Sequence, residues 1–339
     1  GINFDKFGCA ILWYLYSFYL FLNSAILELQ DIFLLLKERK YNFGCYAYFD
    51  NLINKPGVFY VSSNIKDHNI VNWYLRWKNR NIQISSICHS ASTTSDFKLG
   101  KIDIVQTDGL PKLIRAQQPK YLVFFVYQVI YSFIWLFFKP AYGFLLSESM
   151  KLKRFDLANE ADLARDYLFH SPHLYRPIWT YEVEKQDSRV ILYFYSTNNE
   201  QHKKSDSYVD PGLAWNLSSW PLILVWDEYQ EQFVKRVFHS YKEIKVVGDI
   251  WFSASNYENK INIGSKNKIS AGLFDVQPHR AALYQVMAPP TDYYDGKVAI
   301  QFLKDVHKVL DSNSIEVFHK RKRDVGKTTN ANYIFYLQS

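Results

Sequence analysis

Cysteine is scarce, with Cys9, Cys45 and Cys88 the only 3 in 339 residues and no Cys-x-x-Cys pair among them. This excludes a disulfide framework, argues against a structural zinc site and fits a reducing cytoplasm. The 13 glycines and 11 prolines are too few for a collagen-like or low-complexity chain. No basic stretch and no small-residue cleavage site surround the first apolar run, so no secretory signal is expected. The chain opens on Gly1 rather than Met, which reads as a fragment. His89, His170, His173 and His279 are scattered without metal-ligand spacing, so each is expected to be structural and no metal is called for.

What is abundant is apolar and aromatic: 48% of residues are hydrophobic and 18% aromatic, enough for more than one well-packed core. At this length two domains are the default expectation. The net charge of +7 favours anionic partners: nucleic acid, a membrane face or a phosphorylated substrate. Ala10 to Leu22 and Tyr121 to Phe138 are long and aromatic-rich enough to raise three readings, a buried helix, an interfacial helix and a spanning one.

Elsewhere short apolar runs alternate with helical stretches, the pattern of an α/β fold with parallel sheets. The runs are Gly57 to Ser62, Ile82 to Cys88, Ile102 to Val105, Val190 to Tyr195, Pro221 to Trp226, Ile244 to Val247, Ile269 to Phe274 and Ile315 to Phe318. Tyr333 to Leu337 reads as one more strand. Residues 256–267, rich in Asn, Gly and Lys, are the expected linker between a domain over 1–255 and a partial one over 268–339.

Ligands of open parallel sheets collect where strands end, so the polar residues there are the first candidates. His319 and the basic run Lys320 to Arg323 continue directly from a strand read as buried, where Lys and Arg would neutralise a diphosphate. Asp275 and Gln277 end another strand beside Pro278, with Arg280 close behind. Gly326-Lys327-Thr328-Thr329 is not a phosphate-binding P-loop, because Arg321 occupies the position that must be Gly. Glu182 and Glu184, placed by their spacing on one face of a strand, are the candidate carboxylates for acid or base work.

The segments RPIWTYEVE, ILYFYSTNN, WPLILVWDEYQ, VGDIWF, ISAGLFDVQPHR and EVFHKRKRDVGK together resemble the polysaccharide biosynthesis PFTS motif family of bacterial surface-polysaccharide loci. The resemblance covers Lys153 onward; the Pro-Phe-Thr-Ser motif itself is absent, which fits a chain truncated before it. It implies a glycosyltransferase similar to the GT-B type, with two Rossmann-like domains, acceptor on the first and nucleotide-sugar on the second, incomplete one. By analogy with transferases that use CMP-activated sugars, Lys320, Lys322 and Arg323 would bind donor phosphate, with Asp275, Gln277 and Arg280 in the same donor site and no metal needed. Implied partners are the nucleotide-sugar, a glycan or lipid-linked acceptor and the inner face of the cytoplasmic membrane, with no nucleic acid. The rival reading is a non-catalytic membrane-associated protein whose basic run contacts anionic lipid or nucleic acid.

Overall fold

The computed structural model describes residues 6–36, 45–50, 70–78, 84–90, 96–107, 109–170, 176–194, 196, 213–248, 250, 269–274, 278, 295–320 and 330–338. The chain divides into two compact units, Gly1–Ser255 and Asn256–Ser339. The run Gly57 to Ser62, the segment 256–267 and the side chains of Asp275, Gln277, Arg280, Lys320, Lys322 and Arg323 lie outside the described residues.

The first unit is built on an eight-stranded sheet. Its strands are β1 (Ala47–Phe49), β2 (Ser86–His89), β3 (Phe97–Leu99), β4 (Ile102–Gln106), β5 (Asp166–Phe169), β6 (Arg189–Tyr193), β7 (Ser219–Val225) and β8 (Ser240–Val246). Their order is β3-β4-β2-β1-β5-β6-β7-β8, and all neighbours run parallel except β3 and β4. The chain grows outward from β1 to one edge, then returns to the middle at β5 and grows toward the other. This is the doubly wound topology of an α/β domain.

The central strands β1, β2, β5, β6 and β7 read as largely continuous apolar runs because both faces are covered. Tyr48, Cys88, Tyr167, Leu192 and Val225 pack on one face; Phe49, Ile87, Leu168, Ile191 and Leu224 pack on the other. Helix α2 (Ile70–Trp77) covers the second face with Ile70, Val71, Trp73 and Tyr74. Its end is tied down by Asp166, fully buried at the start of β5, which accepts from Tyr74 Oη at 2.5 Å and pairs with Lys78 at 2.9 Å and with Arg189. The first face carries α5 (Thr180–Lys185), α6 (Leu213–Asn216) and α7 (Glu228–Val237). In α7, Asp227 caps the start by accepting from Gln230 N at 2.8 Å, with acids in the first turn and Lys235 and Arg236 in the last, as the helix dipole favours.

Between β4 and β5 the chain leaves the sheet in a helical hairpin, α3 (Gln118–Leu136) and α4 (Tyr142–Leu157). Helix α1 (Lys6–Leu36) packs on both. Gly143 is required here: a Cβ on it would stand 2.2 Å from the carbonyl oxygen of Ser17 in α1. Trp13 stacks on Phe144 at 5.2 Å, Phe21 meets Phe133 at 5.9 Å, and Asp31 pairs with Arg154. These pairs make α1 parallel to α4 and antiparallel to α3.

The second unit holds β9 (Ser270–Phe274) and β10 (Glu316–Lys320), paired in parallel, with α8 (Gly296–Ser312) and α9 (Ala331–Gln338). Asp295 caps α8, and Ala299 and Leu303 pack against Tyr333 and Leu273.

Three local expectations are corrected. Tyr333 to Leu337 is helix, because Asn330 caps it by accepting from Asn332 N and Tyr333 N, and Tyr333 and Leu337 then share one buried face four residues apart. Glu182 and Glu184 sit on the short helix α5 and not on a strand; Trp179 and Val183, four apart, hold that turn against the core. And β10 is no buried strand: Phe318 is 59% exposed.

Candidate functional site

In a doubly wound sheet the chain leaves neighbouring strands in opposite directions at the topological switch point, which opens a crevice beyond the strands' carboxyl ends. Here that point is the β1/β5 boundary. Asp50 follows β1, its N–H bonded to Leu168 O of β5 at 3.0 Å. Ser90 follows β2 and ties back to β1, donating its N–H to Phe49 O at 3.1 Å and its hydroxyl to Asp50 O. His89 ends β2, in register with Phe49; His170 follows β5; Tyr193 ends β6 with its ring 6.1 Å from that of His170.

Two of the histidines scattered in the sequence, His89 and His170, are thus gathered at the ends of strands that flank β1. Asp50 is the acid of this group. Burial raises its carboxyl above the ordinary range, while Lys151, reaching from α4, pulls the other way. Tyr193 is fully buried, and its hydroxyl has no hydrogen-bond partner among the described residues. Burial raises that hydroxyl strongly and the Asp50 charge adds to the rise. A buried hydroxyl without a partner costs stability unless something polar meets it. Burial holds His89 at about 4, against a smaller upward pull from Asp96, so it is a neutral imidazole at pH 7.

Asp50 was missed in the sequence because it follows a three-residue strand. Its signal was available only through strand order, since nothing in Ala47 to Asp50 says that β5 will return beside β1.

Glu182 and Glu184 lie elsewhere. Glu182 pairs with Lys185 at 2.7 Å on α5. Glu184 accepts from Arg176 at 2.5 Å and from Lys242, at a cleft of about 500 Å³ that also includes Tyr181, Ser219, Trp220 and Ser240. Ser219 and Ser240 begin β7 and β8, so this cleft is at the amino ends of those strands, away from the switch-point crevice. Burial raises the Glu184 carboxyl, but the hydrogen bonds from Lys242 and Arg176 outweigh it and hold the group below the ordinary range.

In the second unit the pairing of Lys320 with Phe274 brings the carboxyl ends of β9 and β10 to one edge. In the sequence Asp275 and Gln277 come after β9 and Lys322 and Arg323 after β10, outside the described residues.

The family model described as polysaccharide biosynthesis PFTS motif protein matches residues 127–339, more than half of the chain. The chain belongs to the polysaccharide biosynthesis PFTS motif family. No curated protein and no solved structure matches it. For a PFTS motif protein, the match divides the crevice: it takes in β5 to β8 with His170 and Tyr193, and leaves Asp50, His89 and Ser90 outside. It also takes in both strands of the second unit, with Lys320 at their common edge.

Proposed function

We propose that this PFTS motif protein is a glycosyltransferase of GT-B-like design. It moves a sugar from a nucleotide-sugar, with CMP-activated sugars the first candidates, to a growing or lipid-linked surface glycan at the inner face of the cytoplasmic membrane. The observation that carries the reading is the gathering of Asp50, His89, His170 and Tyr193 at the carboxyl ends of β1, β2, β5 and β6, at the switch point of a doubly wound sheet, in a chain whose family serves polysaccharide biosynthesis.

The acceptor belongs to the first unit and the donor to the second. Asp50, rather than Glu182 or Glu184, is the base we assign, because its carboxyl is raised toward the working pH while Glu184 is neutralised by two cations. It takes the proton of the acceptor hydroxyl as that oxygen bonds to the anomeric carbon. The bond from that carbon to the phosphate oxygen breaks, and the nucleotide leaves with the electron pair. Lys320, Lys322 and Arg323 neutralise the charge that grows on the departing phosphate, with Asp275, Gln277 and Arg280 holding the rest of the donor.

The test is a thermal-shift series with CMP, UDP and GDP. One nucleotide should raise the melting temperature, and the double substitution Lys322→Ala, Arg323→Ala should abolish that rise. Stabilisation by none of the three, together with salt-sensitive binding to vesicles or DNA, would replace this reading by that of a non-catalytic binding protein.

A further inference from the structure

The apolar helices of the first unit carry two exposed apolar stripes. On α1 the stripe runs through Ile11, Leu15, Leu22, Ile26 and Leu29 to Phe33, all more than 40% exposed. On α3 it runs through Val123, Val126, Ile130, Ile134 and Phe137, all more than 50% exposed. The two acids of α1 turn the other way. Glu28 meets Ser147 at 3.1 Å and Asp31 pairs with Arg154, both on α4.

Length alone would let either helix cross a bilayer: the apolar parts span 26 residues in α1 and 19 in α3. The packing of α4 decides against it for α3. Helix α4 runs back along α3, with Tyr142 against Tyr131 at 5.8 Å and Lys153 over Phe124 at 5.7 Å. Only its first six residues, Tyr142 to Ser147, are uncharged before Glu148, Lys151, Lys153, Arg154 and Asp156 begin. Six helical residues reach about 9 Å, far short of a hydrocarbon core of about 30 Å. Were α3 transverse, it would draw Lys151 and Lys153 into that core with it.

Charge identifies the occupant. From 109 to 147 there is no Asp or Glu, while Lys112, Arg115, Lys120 and Lys139 are all exposed. That is the complement of an anionic lipid surface, basic side chains at headgroup level beside an apolar face.

We propose that α1 and α3 form a monotopic layer lying in one leaflet of an anionic bilayer, with α3 along the interface and its closing turn, Phe137 to Ala141, on the same side as the sheet. Helix α4 is then the spacer between lipid and enzyme, and the charge of its Lys151 acts on the Asp50 carboxyl. A lipid-linked acceptor would reach the crevice by moving sideways within the leaflet, without leaving it. This rests on the membrane association in the functional proposal.

The full chain should float with phosphatidylcholine vesicles that contain phosphatidylglycerol and stay behind with phosphatidylcholine alone. Lys112→Glu, Arg115→Glu, Lys120→Glu together should weaken flotation about tenfold or more. With Cys9→Ser in place, a cysteine introduced by Lys139→Cys should react with an impermeant maleimide from the side that carries the sheet. Reaction only after detergent opens the vesicle would mean that α3 spans and would overturn the monotopic layer while leaving membrane association intact. Flotation that is equal on both vesicle types would overturn the anionic occupant. No flotation on either would remove the membrane clause of the functional proposal itself.

Discussion

Asp50 and Leu168, 118 residues apart in the chain, are joined by a 3.0 Å hydrogen bond from the Asp50 N–H to the Leu168 carbonyl. That bond extends the β1–β5 pairing past the end of β1 and fixes the Asp50 backbone at the topological switch point, with His170 two residues beyond Leu168.

Asp50→Asn should lower sugar transfer by about 10² to 10⁴, the usual contribution of a general base. Because burial raises this carboxyl, the folded state holds its proton to a higher pH than the unfolded state does. Transfer by the wild type should therefore rise with pH through a range above that of an ordinary Asp, and the variant should lack this limb. Folding stability near pH 7 should not fall in the variant, since an ionised buried carboxylate is removed. Initial rates across pH, beside urea melts, check both halves.

Glu184→Gln should act on stability and leave transfer unchanged. Its carboxylate neutralises Arg176, whose side chain is 6% exposed, so the substitution leaves a buried cation short of its partner and should cost about 1–3 kcal/mol. The Glu184 carboxyl is held low, so its contribution is present above the ordinary carboxylate range and disappears as pH falls through the folded value. Glu182→Gln, which loses only a pair with a lysine whose side chain is 69% exposed, should stay within about 0.5 kcal/mol. Denaturant midpoints at pH 7 and pH 4 separate the two.

His89 makes the chain sensitive to mild acid. Its folded imidazole titrates at about 4 against an ordinary value of 6.5, so between these limits the unfolded chain binds a proton that the folded chain refuses. Stability should decline as pH falls from 6.5 toward 4, and His89→Asn should be less stable at pH 7 but lack this component of the decline. Urea midpoints at pH 7, 6 and 5 would show it. Parallel lines for wild type and variant would exclude a buried neutral His89.

Gly143→Ala should loosen the helical layer, because its Cβ would meet the Ser17 backbone at 2.2 Å, where no flexible side chain can yield. Overpacking of this kind costs about 1–3 kcal/mol. The expected sign is a lower melting temperature with α1 more open to limited proteolysis.

Much of the sheet was legible in the sequence. The runs that became β2, β6 and β7 are apolar without alternation, the pattern of a strand covered on both faces. The short elements were not legible. Glu182 and Glu184 have strand spacing, yet the turn between β5 and β6 makes them helical; Tyr333 to Leu337 has strand composition, yet Asn330 and the packing of Tyr333 on α8 make it a helix. In segments of six to eight residues intrinsic preference amounts to a fraction of a kcal/mol per residue, and contacts with the rest of the molecule outweigh it.

By itself, then, the sequence determined the α/β class and the family, because local periodicity and residue order carry them. Only the tertiary structure decided which acid stands at the crevice and which way the apolar helices face. Both depend on strand order and helix packing, relations between residues far apart in the chain that no local pattern encodes. That is how Glu184 came to be an ion-paired support of α5 and Asp50 the acid beside His170 and Tyr193.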